Sequence, residues 1–198
     1  MTEHHGRWVT LLVALLVTLL MLAPGSALAR SKIHKAADTL AGRGMWIWYV
    51  SRSSGGTVSG ILATARKYGV STVMVKSSDG RTMWSQFNSS LVSSLHAGGL
   101  RVCAWQYLYG NFPKQEAQVG AEAVHDGADC LVLDAESEYE GKYVAAQTYM
   151  TDLRKLVGQS YPVALAGFPY IDYHPGFPYS VFLGPGGAQY NSPQMYWM

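Results

Sequence analysis

The chain has 198 residues, 48% of them apolar and only 14% charged, which suits a folded domain with a sizeable core and argues against a disordered or highly charged protein. Its formal net charge of +2 comes from 15 Lys and Arg against 13 Asp and Glu spread along the chain. No basic run tracks a phosphate backbone, so nucleic acid is not an expected partner.

The chain opens on a segment in which Arg7 and two histidines precede an apolar run from Val9 to Ala23, followed by Pro24-Gly25-Ser26 and the small-residue site Ala27-Leu28-Ala29. That is the layout of a secretory signal peptide, residues 1–29, cleaved after Ala29. The apolar run is shorter than the roughly 20 residues a spanning helix needs, so no stable membrane span is expected after cleavage. The expected location is extracellular or in the cell envelope. Residues 30–43 read as a polar leader with little structure, and 44–198 as one domain.

From Met45 onward an apolar strand, a Gly/Ser/Asp-rich turn and an amphipathic helix recur at intervals of roughly 30 residues, the signature of βαβ units. The predicted strands are Met45 to Val50, Thr72 to Lys76, Arg101 to Tyr107, Cys130 to Asp134, Pro162 to Gly167 and Gln194 to Trp197. They lack clean alternation, as parallel strands covered on both faces do. The predicted helices are Thr57 to Tyr68, Ser85 to Ala97, Lys114 to Gly127 and Lys142 to Val157. In the last of these Val144, Ala145, Thr148, Tyr149, Leu153 and Leu156 recur at helical spacing. Cys103 and Cys130, each inside an apolar run, read as small buried hydrophobes; a bridge between neighbouring strands is the less favoured alternative.

Six such units suit an open doubly wound sheet or most of a (β/α)8 barrel. No Gly-x-Gly-x-x-Gly loop follows the first strand, which weakens a dinucleotide-binding reading. Aromatic and polar residues gather after nearly every strand, the face on which barrel sites are built. The expected fold class is therefore α/β of the (β/α)8 TIM-barrel type, incomplete in this chain at about six βα units.

The best candidate for chemistry is the acidic stretch after the fourth strand, where Cys130-Leu131-Val132-Leu133 runs into Asp134-Ala135-Glu136. Residues two apart on a strand share a face, about 6.6 Å apart along the backbone, within the range in which carboxylate pairs cleave glycosidic bonds. Two carboxylates in a partly desolvated pocket cannot both ionise freely. Glu136 is read as the proton donor and Asp134 as the anion. Glu138 and Glu140 read as acids favouring the N-terminus of the next helix. Lys76 closes the second strand and is followed by Ser77-Ser78-Asp79-Gly80, and its amine is placed to meet the acidic pair or to hold an acid structurally. Trp48, Trp105, Tyr107, Tyr170 and Tyr196 stand at or just past strand ends and present the flat rings a sugar cleft uses for stacking. His174, two residues from Asp172, is a weaker acid/base candidate. The histidines are scattered, with no metal motif, and no cofactor is expected.

The run Gly69-Val70-Ser71-Thr72-Val73-Met74-Val75-Lys76-Ser77-Ser78-Asp79-Gly80, the helix ending Ala97-Gly98-Gly99 and the strand Leu131-Val132-Leu133-Asp134-Ala135-Glu136 resemble the glycoside hydrolase family 25 lysozymes. More loosely, they resemble the wider glycoside hydrolase barrel superfamily. The resemblance implies a (β/α) barrel that hydrolyses β-1,4 links in peptidoglycan, with Glu136 matching the acid and Asp134 the assisting carboxylate. It departs from that family at Trp46-Ile47-Trp48, where an aspartate is usual, and at Asp79, where a glutamate is usual. The chitinase-like family 18 barrels resemble the same strand less, since Val132 stands where their motif has a further aspartate. The expectation is thus a secreted, monomeric glycosidase acting on a polysaccharide. The alternative is a non-catalytic carbohydrate-binding barrel or an inactive fragment.

Overall fold

The computed structural model describes residues 39–196. The signal-like segment, most of the leader and Trp197 lie outside them. Six parallel strands alternate with helices: β1 (Arg43–Ile47), α1 (Val58–Tyr68), β2 (Val70–Asp79), the two-residue β3 (Thr82–Met83), α2 (Ser89–Ala97) and β4 (Arg101–Leu108). There follow α3 (Pro113–His125), β5 (Cys130–Ala135), α4 (Tyr143–Val157), β6 (Val163–Ala166), the short α5 (Tyr179–Phe182) and β7 (Tyr190–Asn191). β3 turns back antiparallel on the end of β2.

The parallel strands lie side by side in chain order, β1-β2-β4-β5-β6-β7. A doubly wound sheet reverses its order partway along; this one does not, so every crossover returns on the same side. The packing agrees. Ile47, Val73, Val75, Val102, Leu131, Leu133, Val163 and Leu165 on one face join Ile61, Leu95, Tyr149 and Leu153 of the helices in the main core. The opposite face carries a smaller cluster of Met74, Cys103, Trp105, Cys130, Val132, Ala164 and Ala166. The sheet curls round that second face, because β1, β2 and β7 together line a cavity of about 390 Å³. β1 and β7 are not hydrogen-bonded to each other. The architecture is an α/β sheet of six parallel strands curled like part of a barrel.

Local chemistry sets the element boundaries. Thr57 caps α1 by accepting from the Gly60 amide, and Gly69, at φ 64, closes it in the left-handed region that glycine enters without strain. α2 begins at Ser89, four residues later than expected, because Asn88 supplies the cap by accepting from the Leu91 amide at 3.0 Å. Residues 39–42, assigned by sequence to the leader, are tied to the domain. Thr72 donates to the Thr39 carbonyl, and Arg101 and Ser71 donate to that of Ala41.

Two expectations are corrected. The sixth strand pairs with β6 at Tyr190 and Asn191, not from Gln194 onward. Pairing bonds persist beyond it, Ser192 N to Leu165 O at 2.7 Å and Gln194 N to Gly167 O at 2.9 Å, and Pro193 between them falls where no N–H is needed. The cysteines are not free: Cys103 and Cys130 form a disulfide. They are register partners on adjacent strands, with Cα atoms 4.5 Å apart on the concave face.

Candidate functional site

Alternation along the strands decides what reaches the concave face. On β4, Cys103, Trp105 and Tyr107 point inward, and on β5 Cys130, Val132 and Asp134 do the same, with Tyr107 and Asp134 in register. On β2 simple alternation would pair Lys76 with Ser78. Instead the register with β4 shifts between Lys76 and Ser78, so that Asp79 lies opposite Tyr107. Lys76 faces inward by alternation from Met74, and the bulge at Ser77 turns Asp79 to the same side; Ser77 donates its hydroxyl to the Trp105 carbonyl, 3.1 Å away.

At the C-terminal ends of these strands lies a cavity of about 410 Å³, lined by Trp46, Trp48, Trp105, Asp134, Ser192, Pro193, Gln194, Met195 and Tyr196. Asp134, only 8% exposed, sits at its floor, with Glu136 half-buried beyond it. Gln194 bridges the two carboxyls, its Nε2 donating to Asp134 Oδ1 at 2.8 Å and to Glu136 Oε1 at 2.9 Å. Tyr196 in turn donates to Gln194 Oε1 at 2.6 Å. Burial, followed by the charge and the direct hydrogen bond of Glu136, pushes the Asp134 carboxyl from an ordinary 3.8 up to about 7. Lys76 and the Gln194 amide pull the other way. The pair thus shares one proton near neutrality.

Lys76 is 1% exposed and pairs with Asp79 Oδ2 at 2.8 Å. Aromatic rings wall it in: its Nζ lies 4.2 Å from the centroid of Trp48, 4.6 Å from Trp105, 4.7 Å from Trp84 and 5.7 Å from Tyr107. Trp48 and Trp46 meet Trp105 edge-on at 5.2 and 5.5 Å, and the Trp105 Nε1 donates to the Ile47 carbonyl. Gln86 locks the wall by donating to the carbonyls of Trp48 and Lys76. Trp48 remains 52% exposed and Tyr196 81% exposed, so each offers a ring to solvent at the cavity mouth. The Tyr109 hydroxyl hydrogen-bonds Asp79 and is pushed up to about 12. Tyr107 donates to Glu138 Oε2 at 2.9 Å, and its own pKa is raised by burial and by that bond.

Of the residues singled out in the sequence, Asp134, Glu136, Lys76, Asp79, Trp48, Trp105, Tyr107 and Tyr196 converge on this face. Tyr170 is not among the residues lining the cavity; it packs beside Tyr173, with ring centroids 5.8 Å apart. Glu138 and Glu140 do not serve α4, whose N-cap Lys142 has no side-chain cap bond. Glu138 takes the Tyr107 hydroxyl, and Glu140 pairs with His174 at 2.9 Å. His174, stacked on Phe168 at 3.4 Å, therefore has Glu140 as its partner in place of Asp172. Gln194 and Trp84 were not singled out as site residues in the sequence; Gln194 lies 60 residues from Asp134 and carries no local signal. Among the described residues no group of three His, Cys, Asp or Glu side chains could hold a metal ion, and no helix is long and apolar enough to cross a membrane.

No family model matches the chain. No curated protein matches it. Among solved structures it is similar to the modular Cpl-1 endolysin complexed with a peptidoglycan analogue, at 16% identity and a TM-score of 0.48. The match covers 70% of this chain and 40% of that one, so the chain spans well under half of the endolysin's length.

Proposed function

We propose that this domain hydrolyses O-glycosidic bonds of a polysaccharide, peptidoglycan being the first candidate, with Glu136 as the proton donor. The observation that carries the reading is the Asp134/Glu136 pair, bridged by one amide at the floor of a cavity walled by tryptophans. The two carboxyls stand at the end of one strand and accept from the same amide nitrogen. They act as one proton-holding unit. Glu136, the more exposed of the two, delivers the pair's proton to the leaving-group oxygen while water attacks the anomeric carbon, and the proton that the water releases returns to the pair. Trp48 and Tyr196 supply exposed rings on which sugars stack at the mouth. The residue-level resemblance to the family 25 lysozymes points to the same bond. Export to an oxidising compartment is supported by the Cys103–Cys130 disulfide.

Glu136→Gln keeps the shape and the bond to Gln194 but removes the titrating group. Hydrolysis of peptidoglycan and chitin by the purified protein should fall at least 100-fold, the scale of a lost general acid. Unchanged hydrolysis would sink the proposal. One observation favours a second reading, a carbohydrate-binding module without catalysis: the Gln194 amide already engages both carboxyls. In that case sugar binding persists in Asp134→Asn and Glu136→Gln, and wild-type protein releases no product.

A further inference from the structure

A buried lysine needs a reason. Removing an ammonium from water is costly unless it is paired, and Asp79 Oδ2 at 2.8 Å supplies the pair. A purely structural ion pair would be complete at that point. Here the amine is also held against the rings of Trp48, Trp84, Trp105 and Tyr107. It faces inward by alternation from Met74, on the same concave face as Asp134, and the bulge after it brings Asp79 round to the same side. Solvent does not screen it, since Lys76 is 1% exposed, so its field reaches neighbouring charges with little loss. The charged and titratable groups around it come from each adjoining element: Asp79 from β2, Tyr107 from β4 and Tyr109 just past it, and Asp134, Glu136 and Glu138 from β5 and the turn after it.

We propose that Lys76 is the positioning residue of the carboxyl pair: a fixed, desolvated cation, caged by four aromatic rings and tethered by Asp79, whose field limits how tightly Asp134 and Glu136 hold their shared proton. Two influences, burial and Glu136, drive that proton onto Asp134, and Lys76 opposes them. Without this opposition the pair would hold its proton more tightly and give it up less readily to a leaving group. Asp79 works against Lys76, since its negative charge offsets part of the field. The inference rests on the reading of the pair as a proton donor, and its test does not.

The test is a carbon-13 NMR titration of the Asp134 and Glu136 carboxyls in the unliganded protein, from pH 4 to 9, for wild type, Lys76→Met, Lys76→Arg and Asp79→Asn. Lys76→Met keeps an unbranched stem in the cage and removes the charge. It should move the pair's last deprotonation up by roughly one pH unit, the shift expected for losing one nearby unscreened charge. Asp79→Asn should move it down, and Lys76→Arg should keep it near wild type. A merely structural Lys76 would lower stability in both charge-removing variants and leave the titration alone. Unmoved titrations, or shifts of the same sign in Lys76→Met and Asp79→Asn, would overturn the proposal. If Lys76→Met does not fold, Asp79→Asn decides by itself, a downward shift supporting the inference and any other result refuting it. Opposed shifts in a protein that hydrolyses no glycan leave this inference standing and remove the glycosidase reading. Hydrolysis with unmoved titrations does the converse.

Discussion

Replacing Asp134 with asparagine should make this protein more stable at neutral pH, and the reason is electrostatic. Asp134 is 8% exposed and its carboxyl is pushed from 3.8 to about 7. A carboxyl whose folded pKa is raised binds its proton more tightly in the folded state. Its contribution is fully present below the unfolded pKa, near 4, and is lost as pH climbs to about 7. The loss over that window is about three pH units at 1.36 kcal/mol each, about 4 kcal/mol for the pair as a whole. The asparagine side chain imitates the protonated acid. Its Oδ1 can accept from Gln194 as Asp134 Oδ1 does, and its Nδ2 can donate toward Glu136 in place of the shared proton. Urea unfolding of wild type and Asp134→Asn should give nearly equal stabilities at about pH 4. The variant should then gain steadily, to an advantage approaching about 4 kcal/mol near pH 8. Taking the difference between the two proteins cancels ionisable groups elsewhere that both share. A difference that stays flat from about pH 4 to 8, or that turns against the variant as pH rises, would refute the reasoning, because Asp134 would then be an ordinary or a stabilised carboxylate.

Two further outcomes follow from the same face. Replacing both Cys103 and Cys130 with alanine reopens a loop whose ends are 27 residues apart, and chain entropy sets the loss at about 3.5 kcal/mol. Thermal melting should show a clear drop for the double variant, and an unchanged midpoint would mean that β4–β5 pairing holds without the bridge. Trp48→Ala removes a half-exposed ring at the cavity mouth, and affinity for a soluble peptidoglycan or chitin oligosaccharide should weaken about 5- to 10-fold, the value of one aromatic contact. Calorimetric titration showing unaltered affinity would place the sugar elsewhere.

The strands that run through the core were legible in the sequence because burial on both faces writes itself as uninterrupted apolar runs. β4 and β5 fall within a residue of the positions expected for them. Helix ends were legible where a cap residue stood at the boundary, as Thr57 does, and misplaced where four residues of turn, 85–88, could pass for helix. β7 was misjudged because only its contact with β6 makes Tyr190 and Asn191 a strand; their composition does not.

The Asp134-x-Glu136 spacing by itself determined that two carboxyls share a face at a strand end, since alternation is a property of the backbone. Tertiary structure alone decided what those carboxyls are. Strand register made a disulfide of Cys103 and Cys130, and a one-residue bulge turned Asp79 inward beside Lys76. The last described segment laid Gln194 across the pair, and depth of burial raised the Asp134 carboxyl. Each of these depends on which distant residues meet and how much water they exclude, quantities that no local pattern encodes.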